Sequence, residues 1–140
     1  RFMQTAGIAD ATDGILRNVA RQTAELVRLT LVDDDRLVWI GSAQGAPPGL
    51  VYQPSMGGRI VSYATANGKA WLATLTDEEA CRIALRDGLG QPSAEVGPRA
   101  LTTIEGLVGA LARVRAQGFA TAEEEAEAGV AAVAEEKPAK

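Results

Sequence analysis

The chain has 140 residues, 46% of them hydrophobic, and a formal net charge of −4, which is one ordinary domain with enough apolar material for a core. It lacks the long apolar run of a membrane-spanning helix, and with no segregated basic face an acidic chain is repelled by nucleic acid, so by itself it should not bind DNA. The absence of histidine removes the commonest general base, the usual nucleophile–base pairs and most zinc sites, while the single cysteine, Cys81, excludes an internal disulfide and fits a reducing cytoplasm.

Residues 1–9 carry no readable pattern or signal peptide and stand as the end of a linker. A helix is expected over residues 10–22, with Leu16, Val19 and Ala20 on one face and Ile15 beside them. Leu26 to Val32 reads as a strand and Leu37 to Gly41 as its hairpin partner. The turn Asp33-Asp34-Asp35 lacks the alternating ligands and closing glutamate of a Ca²⁺ loop and reads as a solvated turn. Gln44 to Gly49 is a loop set by Gly45, Pro47, Pro48 and Gly49. A short extended piece, Leu50 to Tyr52, and a second turn at Gly57-Gly58 follow.

The densest signal lies in Tyr63-Ala64-Thr65-Ala66-Asn67-Gly68-Lys69-Ala70-Trp71-Leu72-Ala73. Thr65 suits the N-cap of a helix running to about Leu75. Gly68 removes a Cβ where something must approach the backbone closely. Lys69 adds charge beside amides at the positive end of the helix dipole, and is expected as a surface or dipole-neighbour charge rather than a ligand contact. In outline this is an anion site. Thr76 and Glu79 form a capping box for a helix to about Asp87, stopped by Gly88. Cys81 on that helix reads as a small packing residue. After a loop over Gly90 to Arg99, Thr102-Thr103-Ile104-Glu105 suggests another capping box. The helix behind it carries Ile104, Leu107, Val108, Leu111 and Val114 on one stripe, with Arg113 and Arg115 near its end and Gly118 as its stop. Phe119 to Ala122 is extended, Glu123 to Glu127 is acidic, Gly129 to Ala134 is apolar, and residues 135–140 form a charged tail. Glu123, Glu124 and Glu125 each read as solvated turn residues. Strands early and late with helices between indicate an α+β fold rather than a doubly wound parallel sheet.

Two separated segments point to one family. Gly58 to Ala73 reads GRIVSYATANGKAWLA, and Leu107 to Ala134 reads LVGALARVRAQGFATAEEEAEAGVAAVA. In this order and spacing they resemble the effector-binding domain of IclR-family bacterial transcriptional regulators, over nearly the whole chain. The resemblance implies a GAF-like fold, a curved antiparallel sheet flanked by helices, spanning residues 10–134. It implies a pocket for a small organic or aromatic carboxylic acid, with the carboxylate against Ala66, Asn67 and Gly68. Ile60 and Tyr52 match wall positions. Ala122, Glu123 and Ala132 match positions that supply polar contacts in the family, and alanine at two of them implies a more apolar pocket. It implies further a homodimer or tetramer, no cofactor or metal, and DNA contact only through a separate N-terminal winged helix-turn-helix domain. The charged residues after Ala134, where the family continues with apolar strands, mark the chain as a fragment or a truncated gene product. The same fold on a kinase or cyclase would be a sensory module with a non-DNA output. A small enzyme is disfavoured, because any base would have to be a carboxylate or Lys69.

Overall fold

A computed structural model describes residues 2–49 and 58–136. The expected extended segment at Leu50–Tyr52, Tyr52 itself and Gly57 lie outside the described residues. The chain divides into two compact units, residues 1–59 and 60–140.

The first unit holds helix α1 (Phe2–Thr23) and the antiparallel pair β1 (Leu26–Asp33) and β2 (Arg36–Gln44). Helix α1 begins at Phe2, so the residues expected as linker up to residue 9 are helical. Leu16 and Ala20 are buried and pack with Ala43, Val27 and Leu29. Val19 and Ile15, expected on or beside the buried face, are 36% and 64% exposed. Among the residues of α1 whose burial is described, the apolar stripe is narrower than the spacing suggests, with the hairpin packed on Leu16 and Ala20. Asp33 pairs with Arg36, leaving Asp34 and Asp35 as the two turn residues, with φ of 49° and 60°. Positive φ at both positions matches the right-handed twist of a two-residue hairpin, and aspartate tolerates it better than most residues. Strand β2 runs three residues beyond the expected Gly41, and a bulge lies between Leu29 and Thr30. The Arg28 guanidinium stacks 3.8 Å over the Trp39 ring.

The second unit holds a 3₁₀ turn (Ser62–Ala64), α2 (Ala66–Leu72), α3 (Asp77–Arg86), α4 (Ile104–Gln117), and the antiparallel pair β3 (Ala120–Glu123) and β4 (Ala131–Ala134). All three helices start on a threonine. Thr65, Thr76 and Thr103 accept hydrogen bonds from the N–H groups of Gly68, Glu79 and Gly106, each satisfying an orphan donor of the first turn. Two boundaries differ from the sequence expectation. Helix α2 ends at Leu72 rather than near Leu75, because Ala73 to Leu75 fold into turns. Its trailing carbonyls are taken by Arg115 of α4, which donates to Ala73 O at 2.8 Å and Leu75 O at 3.1 Å and pairs with Asp77. The α4 cap is Thr103, not Thr102, which places Gly106 rather than Glu105 at the reciprocal position. The α3 capping box is half formed: Glu79 donates its N–H to Thr76, but its carboxylate turns to Arg82 instead of reaching back. Helix α4 ends on Gly118 with φ of 89°, the left-handed C-cap that glycine adopts without strain.

The buried face of α4 is Leu107, Ala110, Leu111 and Val114. Ile104 is 40% exposed and Val108 half-buried, so the stripe is rotated toward Ala110. Val114 packs with Ala70 of α2 and Ala120 of β3, with Ala73 and Ala134 against them. Small residues at these contacts bring α2, α4 and β3 close together. The described strands form two antiparallel pairs among helices, an α+β fold as expected.

Candidate functional site

The site is built around the start of α2. Ser62 donates its N–H to Asp87 Oδ2 at 3.0 Å, a buried bond from the turn to the end of α3. That fixes the 3₁₀ turn directly over the first turn of α2. The approach is so close that a Cβ on Gly68 would lie 2.1 Å from Ser62 O. Gly68 is therefore required by the chain's own backbone, and the close approach foreseen there is made by Ser62. The hydroxyl of Ser62 is buried without a hydrogen-bond partner. Ala66 and Gly68 are buried and Asn67 half-buried. The N–H of Gly68 is held by Thr65, and the Thr65 hydroxyl donates in turn to Val61 O. Ile60, half-buried, leads into the turn.

The opposite side comes from β3, β4 and their acidic connection, which pack on α2. Ala122 and Ala132 are cross-strand partners; Ala122 is buried and Ala132 exposed. Glu123 is exposed and lies 3.8 Å from Arg99. Ala66, Asn67 and Gly68 thus lie at the start of α2, and Ala122, Glu123 and Ala132 on strands that pack on the same helix through Ala70, Ala73, Ala120 and Ala134.

Two expectations are corrected here. Lys69 is not a surface charge: its side chain is 6% exposed and its Nζ lies 2.7 Å from Glu125 Oε1. Glu125 is not a solvated turn residue: its side chain is 15% exposed, and its second oxygen accepts from the Glu123 N–H at 3.3 Å. The partners are 56 residues apart, so no local pattern announces the pair. Asp87 and Ser62 were likewise silent, since a single aspartate at a helix end is ordinary.

Electrostatically the site is a capped helix start whose nearby lysine is already neutralised. The Gly68 and Lys69 N–H groups are already taken by Thr65, so what the helix start adds for a small anionic molecule is its dipole and its small side chains. Among the described residues, no three His, Cys, Asp or Glu side chains are arranged to hold a metal. Burial, and then the charge of Asp77, pushes the Cys81 thiol up, which makes it a poorer nucleophile at neutral pH. No helix among the described residues is long and apolar enough to cross a membrane.

Residues 1–135 match the family described as "Bacterial transcriptional regulator IclR C-terminal", and the chain belongs to that family. It is 33% identical over 127 residues to the HTH-type transcriptional regulator XynR of Escherichia coli K12, covering 91% of this chain and 48% of that protein. It superposes on the IclR transcriptional regulator of Alicyclobacillus acidocaldarius with a TM-score of 0.72 at 32% identity, covering 92% of this chain and 49% of that one. An IclR homologue of Microbacterium hydrocarbonoxydans complexed with 4-hydroxybenzoate shares the fold at 20% identity and a TM-score of 0.67, covering 94% and 50% of the two chains. The chain spans about half the length of the curated relatives it matches.

Proposed function

We propose that this chain is the effector-sensing domain of an IclR-type regulator and that its effector is a small organic or aromatic carboxylic acid. The family match over residues 1–135 carries the reading. The capped start of α2 at Ala66, Asn67 and Gly68, on a helix against which the strands bearing Ala122, Glu123 and Ala132 pack, supports a carboxylate held there. Ile60, which leads into the turn before α2, adds to the wall in this reading. Alanine at 122 and 132 favours a larger, aromatic acid over a very small one. The domain senses and does not turn its ligand over, because it has no histidine and its cysteine is a weak nucleophile.

In the longer protein the acid shifts the balance between two arrangements of the domain, and a differential affinity of about 1–3 kcal/mol is enough to matter. The output passes, in a cytoplasmic dimer or tetramer, to a separate DNA-binding domain. That the curated relatives are regulators about twice this length supports the assignment.

A thermal-shift panel of glyoxylate, pyruvate, phenylacetate, protocatechuate and the hydroxybenzoates tests it. A ligand at about a hundredfold its Kd stabilises by about 2.7 kcal/mol. At about 3 °C per kcal/mol for a chain of this length, that is a rise of about 8 °C. Gly68 is a poor probe of the site, because any side chain there collides with Ser62. Ala132→Glu is better: the position is exposed, so folding tolerates it, and the added charge repels an acid. Loss of the shift in Ala132→Glu, with an unchanged ligand-free Tm, supports the assignment. The absence of a shift with every acid would count against it.

A further inference from the structure

We propose that Lys69 and Glu125 form a positioning latch that sets the acidic strand connection against the first turn of α2; the consequence for ligand binding rests on the acid-binding reading above. Neither residue contacts ligand in this assignment. Lys69 follows directly on Ala66-Asn67-Gly68, and Glu125 lies two residues beyond Glu123, so the pair links the two halves of the proposed site.

Four contacts converge on the Glu125 end. Its Oε1 accepts from Lys69 Nζ at 2.7 Å and its Oε2 from the Glu123 N–H. Its backbone oxygen accepts from the Gly97 N–H at 2.7 Å, and the neighbouring Glu124 oxygen accepts from Arg99 N–H at 3.0 Å. Gly97 sits so close that a Cβ there would be 2.3 Å from Glu124 O. The acidic connection is therefore a seated structure, and its one charge link to α2 is Lys69. A single carboxylate holds the helix with one oxygen and the Glu123 backbone with the other. Movement of α2 is thereby passed to the backbone that presents Glu123 and Ala122.

A buried ion pair is a poor choice for stability alone, since apolar residues of similar volume do as well or better. What it supplies is a fixed donor–acceptor geometry, and that separates a positioning role from a merely structural one. The test compares the native 140-residue chain with Lys69→Met/Glu125→Leu, which fills the space but abolishes the acceptor for Glu123. Backbone hydrogen exchange and calorimetric titration with 4-hydroxybenzoate are measured on both. The expected result is a Tm close to the native value, with the Glu123 and Gly97 amides exchanging about tenfold faster or more and 4-hydroxybenzoate affinity falling by about tenfold. Native exchange rates at both amides in the folded double variant would overturn the latch. Should the double variant fail to fold, Glu125→Asp, which keeps the charge on a shorter arm, takes its place with the same two outcomes. If the native chain ignores 4-hydroxybenzoate while the variant's amides are released, the latch stands and only the choice of acid fails.

Discussion

Asp33-Asp34-Asp35 joins β1 to β2, and Glu123-Glu124-Glu125 leads from β3 toward β4. Each is a run of three carboxylates between antiparallel strands, and locally they look alike. The first does its work through the backbone: Asp34 and Asp35 are exposed and occupy the positive-φ corners of a tight turn. The second also has a positive-φ corner, Glu124 at 53°, and adds a side-chain role, because Glu125 meets Lys69 in a buried pair. Composition does not distinguish the two runs. What marks the second run is a lysine on a remote element buried against it, and that is a property of tertiary packing.

Removing charge from each run separates them most sharply. Glu125→Gln leaves Lys69 buried without its counter-charge and is expected to cost about 3 kcal/mol, the low end for breaking a buried pair because Glu125 retains slight exposure. Asp34→Asn is expected to change stability by less than about 0.5 kcal/mol, since the residue is exposed and asparagine also accepts positive φ. Urea unfolding of both variants makes the measurement. Equal costs would mean that the two runs differ in appearance only.

The seat beneath the second run is the next lever. Gly97→Ala drives a methyl group into the Glu124 carbonyl, and overpacking of this kind costs about 1–3 kcal/mol. A Gly97→Ala variant as stable as the native chain would show that the acidic connection is not held at this point.

How much of this was legible beforehand follows the same line. The Thr65 and Thr76 caps, the Gly118 stop and the hairpin turn depend on neighbours within a few residues and were legible, while the α4 cap lies one residue later than its capping-box pattern suggested. The α+β class and the family followed from two motifs in fixed order. The capped helix start at Ala66 to Gly68 was legible as local structure, but the packing around it was not. Gly68 looked like room for a ligand and is room for Ser62. Lys69 looked like a surface charge and is buried, and Glu79 looked like the back-reaching half of a cap but pairs with Arg82. Each miss concerns a side chain or a Cβ whose partner is chosen by packing or by a competing charge, which local spacing does not encode. The outward turn of Val19 and Ile104 has the same cause, since only the neighbouring element decides how wide a buried stripe is.

The turn of the first run also predicts a gain. Asp35→Gly relieves the positive φ at the second corner and creates the Asp-Gly dipeptide that such hairpins favour. The added flexibility of glycine in the unfolded chain offsets part of that relief, so a rise of a few tenths of a kcal/mol is expected by thermal unfolding. A clear loss would show that the Asp35 side chain, not its backbone, is what the turn requires.

A third acidic run, Asp77-Glu78-Glu79 at the start of α3, gives the smallest effect and the cleanest sign. Glu79 is solvent-exposed, and its hydrogen bond and charge interaction with Arg82 hold its carboxyl below the usual carboxylate range. A carboxyl whose folded pKa is depressed adds stability above its unfolded pKa and loses that stability as pH falls through the folded value. Glu79→Gln should therefore lower Tm slightly at about pH 7, and the difference should close as the pH is lowered through the depressed folded value of the Glu79 carboxyl. Because water and salt screen an exposed pair, added salt should shrink the difference further, whereas the cost of Glu125→Gln should survive it, the Lys69 pair being shielded from both. A Glu79 effect that matched Glu125 in size and in salt resistance would mean that burial is not what sets the Lys69 pair apart.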